Sequence, residues 1–209
     1  KKIFEALEIS KSFFSSQIFD DNNSLALKYI RDRGLNNEII NSYEIGYAPQ
    51  GNKLEKFLLS KGVSHEIMTL AGMTIKDEKK KDNFYDRFRN RIIFPIRDIR
   101  NRVVGFGGRV INSNDQPKYL NSPETPVFHK GSLLYNFSKI RPNLKNNDNL
   151  IVVEGYMDVV SLASKGFQNA VAPLGTAITE TQLNILWKDS DSPIICFDGD
   201  KAGKQASFR

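Results

Sequence analysis

Leu150-Ile151-Val152-Val153-Glu154-Gly155-Tyr156-Met157-Asp158 is the stretch that decides the fold. Its continuous apolar run suits a strand covered on both faces. The run stops at a carboxylate, Glu154, and a glycine follows that allows a sharp exit into a helix read over Tyr156 to Ser164. Ala170-Val171-Ala172 reads as a second short strand. Thr179 and Gln182 have capping-box spacing at the head of a helix running through Trp187. Ile194-Ile195-Cys196-Phe197 is a third strand, ending at Asp198. This β-α-β-α-β order implies a parallel sheet with right-handed crossovers, so the fold class is α/β.

Outward from that core, residues 1–75 read as helical. Leu25, Tyr29 and Ile30 recur at roughly helical spacing up to Gly34, and Ile39, Ile40 and Tyr43 repeat it. Gly46 to Gly51 reads as a loop. Leu54, Phe57 and Leu58 mark a short helix stopped at Gly62, and Ser64 caps the next, which carries Ile67, Met68 and Leu70. Lys76 to Asp82 is a charged loop. Arg91 to Ile96 and Val103 to Arg109 then read as two strands around a polar turn at Asp98 to Arg102. Pro117 to Lys130 reads as an ordered, irregular loop. No internal repeat or low-complexity segment interrupts this order.

The chain of 209 residues suits one large domain or two small ones. No apolar run approaches the roughly 20 residues needed to cross a bilayer, so no membrane role and a cytoplasmic location are expected. The single cysteine, Cys196, excludes an internal disulfide and a cysteine-rich zinc site within this segment. Cys196 and Trp187 are read as core. The net charge is +6, and its distribution is uneven. Residues 76–146 hold 16 Lys and Arg against 7 Asp and Glu, a balance of +9, whereas the rest holds 14 against 17, a balance of −3. A concentrated basic block is the footprint of a surface that meets phosphates, although charge runs also make ordinary solvated faces.

Two acidic clusters follow two of the strands, at Glu154 to Asp158 and at Asp198-Gly199-Asp200. Ligands of open α/β sheets collect beyond the carboxyl ends of strands. Asp-Gly is a common turn dipeptide, so the second cluster alone reads as structural. Asp158 suits a helix N-terminus electrostatically. Together, at separate strand ends, these carboxylates favour a cation that offsets their repulsion, and Mg²⁺ prefers such hard oxygen ligands.

The basic block supplies a second constellation. Arg87, Arg89 and Arg91 alternate and so share one face. Arg109 ends a strand whose glycines let backbone approach a ligand. Lys118, Asn121 and Lys130 lie on the long loop. Arginine forks and lysine point charges both suit phosphate, while a charged hairpin edge is the competing reading. Tyr119, Phe128 and Tyr135 either stack on bases or pack in the core. His129 reads as a loop hydrogen-bonder, since His65 is the only other histidine.

From Arg87 to Ala206 the sequence resembles the catalytic core of bacterial DnaG-type DNA primases. It carries RFRNRIIFPIRD, RVVGFGGR, PKYLNSPET, FHKG, VVEGYMDVV and FDGDKAGK in that family's order, and Tyr43 to Pro49 resembles the family's helical entry segment. The resemblance implies an N-terminal primase-core subdomain over 1–128, helical and then basic, and a Toprim domain over 129–209, truncated at its C-terminal end. It implies that Glu154, Asp198 and Asp200 bind catalytic Mg²⁺ or Mn²⁺. It also implies that Arg87, Arg89, Arg109, Lys118, Asn121 and Lys130 line a groove for nucleotide and template. The implied activity is metal-dependent nucleotidyl transfer that makes short RNA primers on single-stranded DNA from ribonucleoside triphosphates, at the replisome. Family members also carry an N-terminal zinc-binding domain, a C-terminal domain that meets the replicative helicase, and a further acidic pair downstream of Asp200. The chain is therefore expected to be a fragment with an incomplete metal site and little activity by itself.

The competing readings are another Toprim enzyme (a topoisomerase or a nuclease), a phosphatase of the haloacid dehalogenase type, and a non-catalytic nucleic-acid-binding module. No nucleophilic tyrosine is assignable for a topoisomerase. The phosphatase's Asp-x-Asp motif opens its domain, whereas here it closes the chain. A non-catalytic module would hold no metal at its acidic cluster.

Overall fold

The computed structural model describes residues 1–79, 83–112, 115–144, 149–175, 177–201, 203 and 204. These gather into two compact units, Lys1–Ile96 with Val103–Phe128, and Arg97–Arg102 with His129–Arg209.

In the first unit, α1 (Lys2–Gln17) buries Ala6, Leu7, Ser10, Phe13 and Phe14, which fall on one helix face. The Phe14 ring stands edge-on to Phe88 and Phe106, with centroids 6.5 and 5.3 Å away. All three rings are fully buried and join Leu54, Leu58 and Met68 in one apolar cluster. Each such ring contributes about 1.5–3 kcal/mol on burial, so this cluster dominates the unit. In α2 (Ser24–Asp32) Ala26 and Ile30 face inward, while Leu25 is 74% exposed. The helical spacing is right there, and the buried face lies one residue further on. In α3 (Asn37–Ser42) the N-terminus is capped by Asn36, whose side chain accepts the Ile39 N–H.

The stretch expected as a loop after it contains a strand, β1 (Gly46–Ala48), buried throughout. Three residues are too few to reveal a period of two. The strand is defined by antiparallel pairing with a distant partner, which sets Ala48 opposite Arg91. Helices α4 (Lys53–Ser60) and α5 (His65–Leu70) form as read, with the Ser64 hydroxyl accepting from Ile67. Two unexpected strands, β2 (Thr74–Lys76) and β3 (Phe84–Asp86), pair around the charged loop. Lys80 to Asp82 of that loop lie outside the described residues.

The expected strand pair is present as β4 (Arg91–Arg97) and β5 (Val103–Val110). A third strand, β6 (Tyr119–Asn121), lies within the stretch read as irregular, and the sheet runs β1-β4-β5-β6. A Cβ on Gly105 would stand 2.6 Å from the Phe128 ring, and one on Gly108 2.9 Å from Phe88. These β5 glycines make room for the unit's own aromatic core. That corrects the expectation that they open the backbone to a ligand.

The second unit alternates strand and helix as expected. β7 (Leu134–Tyr135) and α6 (Phe137–Ile140) precede β8 (Ile151–Val152), α7 (Tyr156–Ser164), β9 (Ala170–Pro173), α8 (Glu180–Leu186) and β10 (Ile194–Ile195). The sheet order is β10-β8-β9-β7. β8 is parallel to both β10 and β9, and β7 is antiparallel to β9. Leu150, Val152 and Val171 are fully buried. Two residues read as core are not: Cys196 is exposed and Trp187 is 56% exposed. Cys196 follows the edge strand β10, whose isoleucines are themselves 47% and 45% exposed, and Trp187 is the C-cap of α8. Apolar character signals burial only where the topology supplies a covering layer. Among the described residues no helix is long and apolar enough to cross a membrane.

One carboxylate of the first unit is buried for a structural purpose. The α4 N-cap, Asn52, makes no side-chain cap bond to its own helix. Asp86, reaching from β3, accepts the Leu54 N–H at 2.9 Å and the Glu55 N–H at 2.8 Å instead. Asn52 reciprocates, donating to the Phe84 carbonyl and accepting the Asp86 N–H. Burial pushes the Asp86 carboxyl up from 3.8 to about 6, against the two backbone donors that favour the anion; Glu55 adds to the rise and Arg89 opposes it. The folded state therefore keeps this proton to a higher pH than the unfolded chain. On this group's account stability falls as pH rises from about 4 to about 6, and is flat above. Melting curves across that window are expected to show Asp86→Asn gaining on the wild type up to about pH 6 and keeping a constant difference beyond it. A difference independent of pH would mean that Asp86 does not titrate there.

Candidate functional site

The acidic turns belong to the second unit. Ile151 pairs with Ile194 and Val152 with Ile195, so β8 and β10 leave the same edge of the sheet. Glu154 follows one strand and Asp198 the other. The Glu154 carboxylate, half-buried, accepts the Asp198 N–H at 2.9 Å. The exposed Asp200 accepts the Gly203 N–H at 2.8 Å and so starts a helical turn. Asp158 accepts the Gly155 N–H at 3.0 Å, the helix-start role that its position suggests. A Cβ on Gly203 would overlap the Asp198 carbonyl oxygen and stand 2.6 Å from Glu154 Oε1. Only a glycine lets this backbone close onto the two acidic residues.

The structure thus brings Glu154 onto the Asp198 turn. Among the described residues, however, no three Asp, Glu, His or Cys side chains are gathered into a metal-holding group. Of the three carboxylates expected to converge, Glu154 reaches the backbone of the Asp198 turn. Like charges repel when no cation offsets them, and Glu154 and Asp200 each take a charge-assisted bond from a backbone N–H. The donor chemistry still fits a hard divalent cation. The donors are carboxylate oxygens, they stand at the ends of adjacent parallel strands, and an N–H bond engages only one oxygen of a carboxylate that has two.

The first unit holds most of the basic candidates. Arg87, Arg89 and Arg91 line one cleft of 380 Å³ with Tyr85, Asp115 and Pro117. The Arg87 fork donates to the Asn121 carbonyl through Nε and Nη2, at 3.3 and 3.0 Å, and Arg91 donates to the Pro117 carbonyl at 2.8 Å. Burial lowers both guanidinium pKa values below the ordinary arginine range. Arg89 lies over the Tyr85 ring and donates to the Asp86 carbonyl. The cleft therefore holds three cations against one anion, Asp115, which suits an anionic ligand.

The register of β5 on β6 sets Arg109 opposite Tyr119 and Gly107 opposite Asn121. The Arg109 guanidinium and the Lys118 ammonium both lie over the Tyr119 ring, 5.1 and 5.9 Å from its centroid, and Arg109 also donates to the Tyr119 hydroxyl. Tyr119 is 37% exposed, whereas Phe128 and Tyr135 are core. A partly exposed ring with two cations beside it can meet a base by ring contact and a phosphate by charge. Lys130 belongs to the second unit, exposed on a 3-10 turn. His65 is structural: it stacks on Phe84 and lies 2.8 Å from a Glu55 carboxylate oxygen.

Sequence reasoning missed two residues here. Arg109 Nε donates to the Tyr29 hydroxyl at 2.7 Å, and the Arg33 guanidinium lies 4.6 Å from the Tyr29 ring centroid. Eighty positions separate Arg109 from Tyr29, and a contact that remote leaves no local pattern.

A parallel β-α-β-α-β sheet with a carboxylate after one strand and Asp-Gly-Asp after its neighbour defines a Toprim-type protein, and residues 148–209 match the Toprim domain family. Residues 13–141 match the family described as DNA primase catalytic core, N-terminal domain. The chain belongs to the DNA primase catalytic-core family. It is 44% identical over 209 residues to a DNA primase of Pseudomonas putida, covering 99% of this chain and 31% of that one. It is 49% identical over 189 residues to a DNA primase of Legionella pneumophila, covering 90% of this chain and 32% of that one. Among solved structures it is similar to the E. coli primase catalytic core, with a TM-score of 0.89 and 41% identity over 99% of this chain and 65% of that one. It is also similar to a DnaG primase catalytic domain bound to single-stranded DNA, with a TM-score of 0.88 and 40% identity over 99% of this chain and 64% of that one. The chain spans about a third of the length of the curated relatives it matches.

Gly203 gives a direct test of the acidic turn. Gly203→Ala is expected to break the Glu154–Asp198 contact and to cost about 1–3 kcal/mol, the range for overpacking a closed site. Hydrogen exchange at the Asp198 amide should quicken in the variant. Unchanged protection would mean that the contact survives a side chain there.

Proposed function

We propose that this chain is the nucleotide- and template-handling part of a primase that makes short RNA primers on single-stranded DNA. The observation that carries the reading is the contact between Glu154 and the Asp198 turn at neighbouring parallel strand ends, in a chain of the primase family. The similar DnaG catalytic domain bound to single-stranded DNA supports the template as a ligand. Residues 1–128 would form the basic subdomain and residues 129–209 the Toprim domain. The intact enzyme would work in the cytoplasm at the replisome and meet the replicative helicase through a further domain.

In the proposed reaction the 3′ oxygen of one ribonucleotide bonds to the α-phosphorus of the next. The bond to the bridging oxygen breaks, pyrophosphate leaves with the electron pair, and the hydroxyl proton passes to solvent. Glu154, Asp198 and Asp200 would hold Mg²⁺ or Mn²⁺, which when bound offsets charge on the reacting oxygens. Arg87, Arg89, Arg109, Lys118, Asn121 and Lys130 bind and orient triphosphate and template through the phosphates, without reading sequence. Tyr119, beside Arg109 and Lys118 and partly exposed, offers a base an aromatic contact next to two cations. Asp158 acts on α7 rather than on substrate.

In the intact enzyme Glu154→Gln is expected to abolish primer synthesis on single-stranded DNA while circular dichroism and melting stay unchanged; priming at the normal rate would remove Glu154 from the reaction. Lys118→Ala should weaken template binding at every sequence and reduce the slope of log K against log salt by about 1. A slope equal to the wild type's would take Lys118 off the template phosphates.

A further inference from the structure

We propose that Gln182, with Thr179, is a positioning residue for Lys130, fixing the turn from which that lysine reaches phosphate; the proposal rests on the reading above that Lys130 meets nucleotide or template. Both residues form the capping box of α8. Thr179 Oγ1 accepts the Gln182 N–H at 3.1 Å, and Gln182 Oε1 accepts the Thr179 N–H at 2.9 Å. That much is the ordinary chemistry of a helix start, and a glutamate would serve it equally well.

The same two side chains also do what no helix start requires. Gln182 Nε2 donates to the Lys130 carbonyl at 3.1 Å and to the Leu133 carbonyl at 2.7 Å. The Thr179 hydroxyl donates to the Gly131 carbonyl at 2.6 Å. Three carbonyls of one short turn, about 50 residues earlier in sequence, are thus taken up by the head of α8. Gln182 is 1% exposed, so these bonds are made out of water, where a lost partner leaves a carbonyl uncompensated. A glutamate has no N–H to give and would leave both carbonyls bare, so the amide is the group this arrangement needs.

Within the turn, Ser132 donates through its N–H and its hydroxyl to the His129 carbonyl. Lysine carries a point charge on a flexible four-carbon stem, and the backbone from which it grows sets the origin of its reach. The clamp fixes that backbone, and α8 thereby sets where an exposed cation stands.

The test is a double-mutant cycle in the intact primase, read as KM for ribonucleoside triphosphates, template Kd and kcat. Lys130→Ala is expected to raise KM or Kd about ten-fold, as the loss of a charge-assisted contact does, and Gln182→Met about three-fold, with kcat within about two-fold. In the Lys130→Ala background Gln182→Met should add nothing, since its effect passes through the missing lysine. Thr179→Val should reproduce the loss and Thr179→Ser, which keeps the hydroxyl, should restore it; this pair decides the matter if Gln182→Met does not fold. Additive effects of Gln182→Met and Lys130→Ala, or a fall in kcat alone, would overturn the positioning role while leaving Lys130 in the binding surface. Unchanged KM and Kd in Lys130→Ala would overturn the reading of Lys130 itself, and the clamp's role with it.

Discussion

The bond from the Asp198 N–H to the Glu154 carboxylate is the constraint on which the acidic end of this protein depends. It joins two turns that are 44 residues apart in sequence. The turns meet because β8 and β10 are parallel neighbours in register, which brings their carboxyl ends out on one edge. Remove the pairing and Glu154 is a lone charge after an apolar run. With it, the carboxylate is oriented by a backbone dipole and presses against a turn whose next residues, Asp200 and Gly203, close by hydrogen bonding. The glycine is part of the same device, because the Asp198 backbone lies where a Cβ would be.

The basic unit solves the opposite problem, that of keeping many cations close together. Arg87 and Arg91 spend donors on the Asn121 and Pro117 carbonyls, and Arg89, Arg109 and Lys118 rest on tyrosine rings. None of these partners cancels the charge. Neutral carbonyls and aromatic faces steady a cation while leaving its field available to phosphate. The same unit holds the Phe14, Phe88 and Phe106 cluster, and Gly108 of β5 makes room there for the Phe88 ring, next to the Arg91 stem. The same β5 carries Arg109, so core packing and the placing of the cations are set by one strand.

Much of this was legible in the sequence, and the failures share a cause. The run ending at Glu154, the helix from Tyr156 to Ser164, the capping box at Thr179 and the β4–β5 pair all depend on neighbours within a few residues. All four appear where the pattern put them. β1, β2, β3 and β6 escaped because each is three residues long and is defined by its partner rather than by its own period. Cys196 and Trp187 were misjudged because apolar character does not say whether the topology covers a residue.

The sequence by itself determined which residue types stand at the strand ends, where the positive charge is concentrated, and that strand and helix alternate in the last third. These follow from periodicity, capping and composition, all short-range in the chain. Tertiary structure alone decided that Glu154 meets the Asp198 turn, that Tyr29 bonds Arg109, and that Gln182 holds the turn of Lys130. Each of these joins residues more than 40 positions apart. Hydrogen bonds at such separations are set by strand register and helix packing, which no local stretch of the chain encodes.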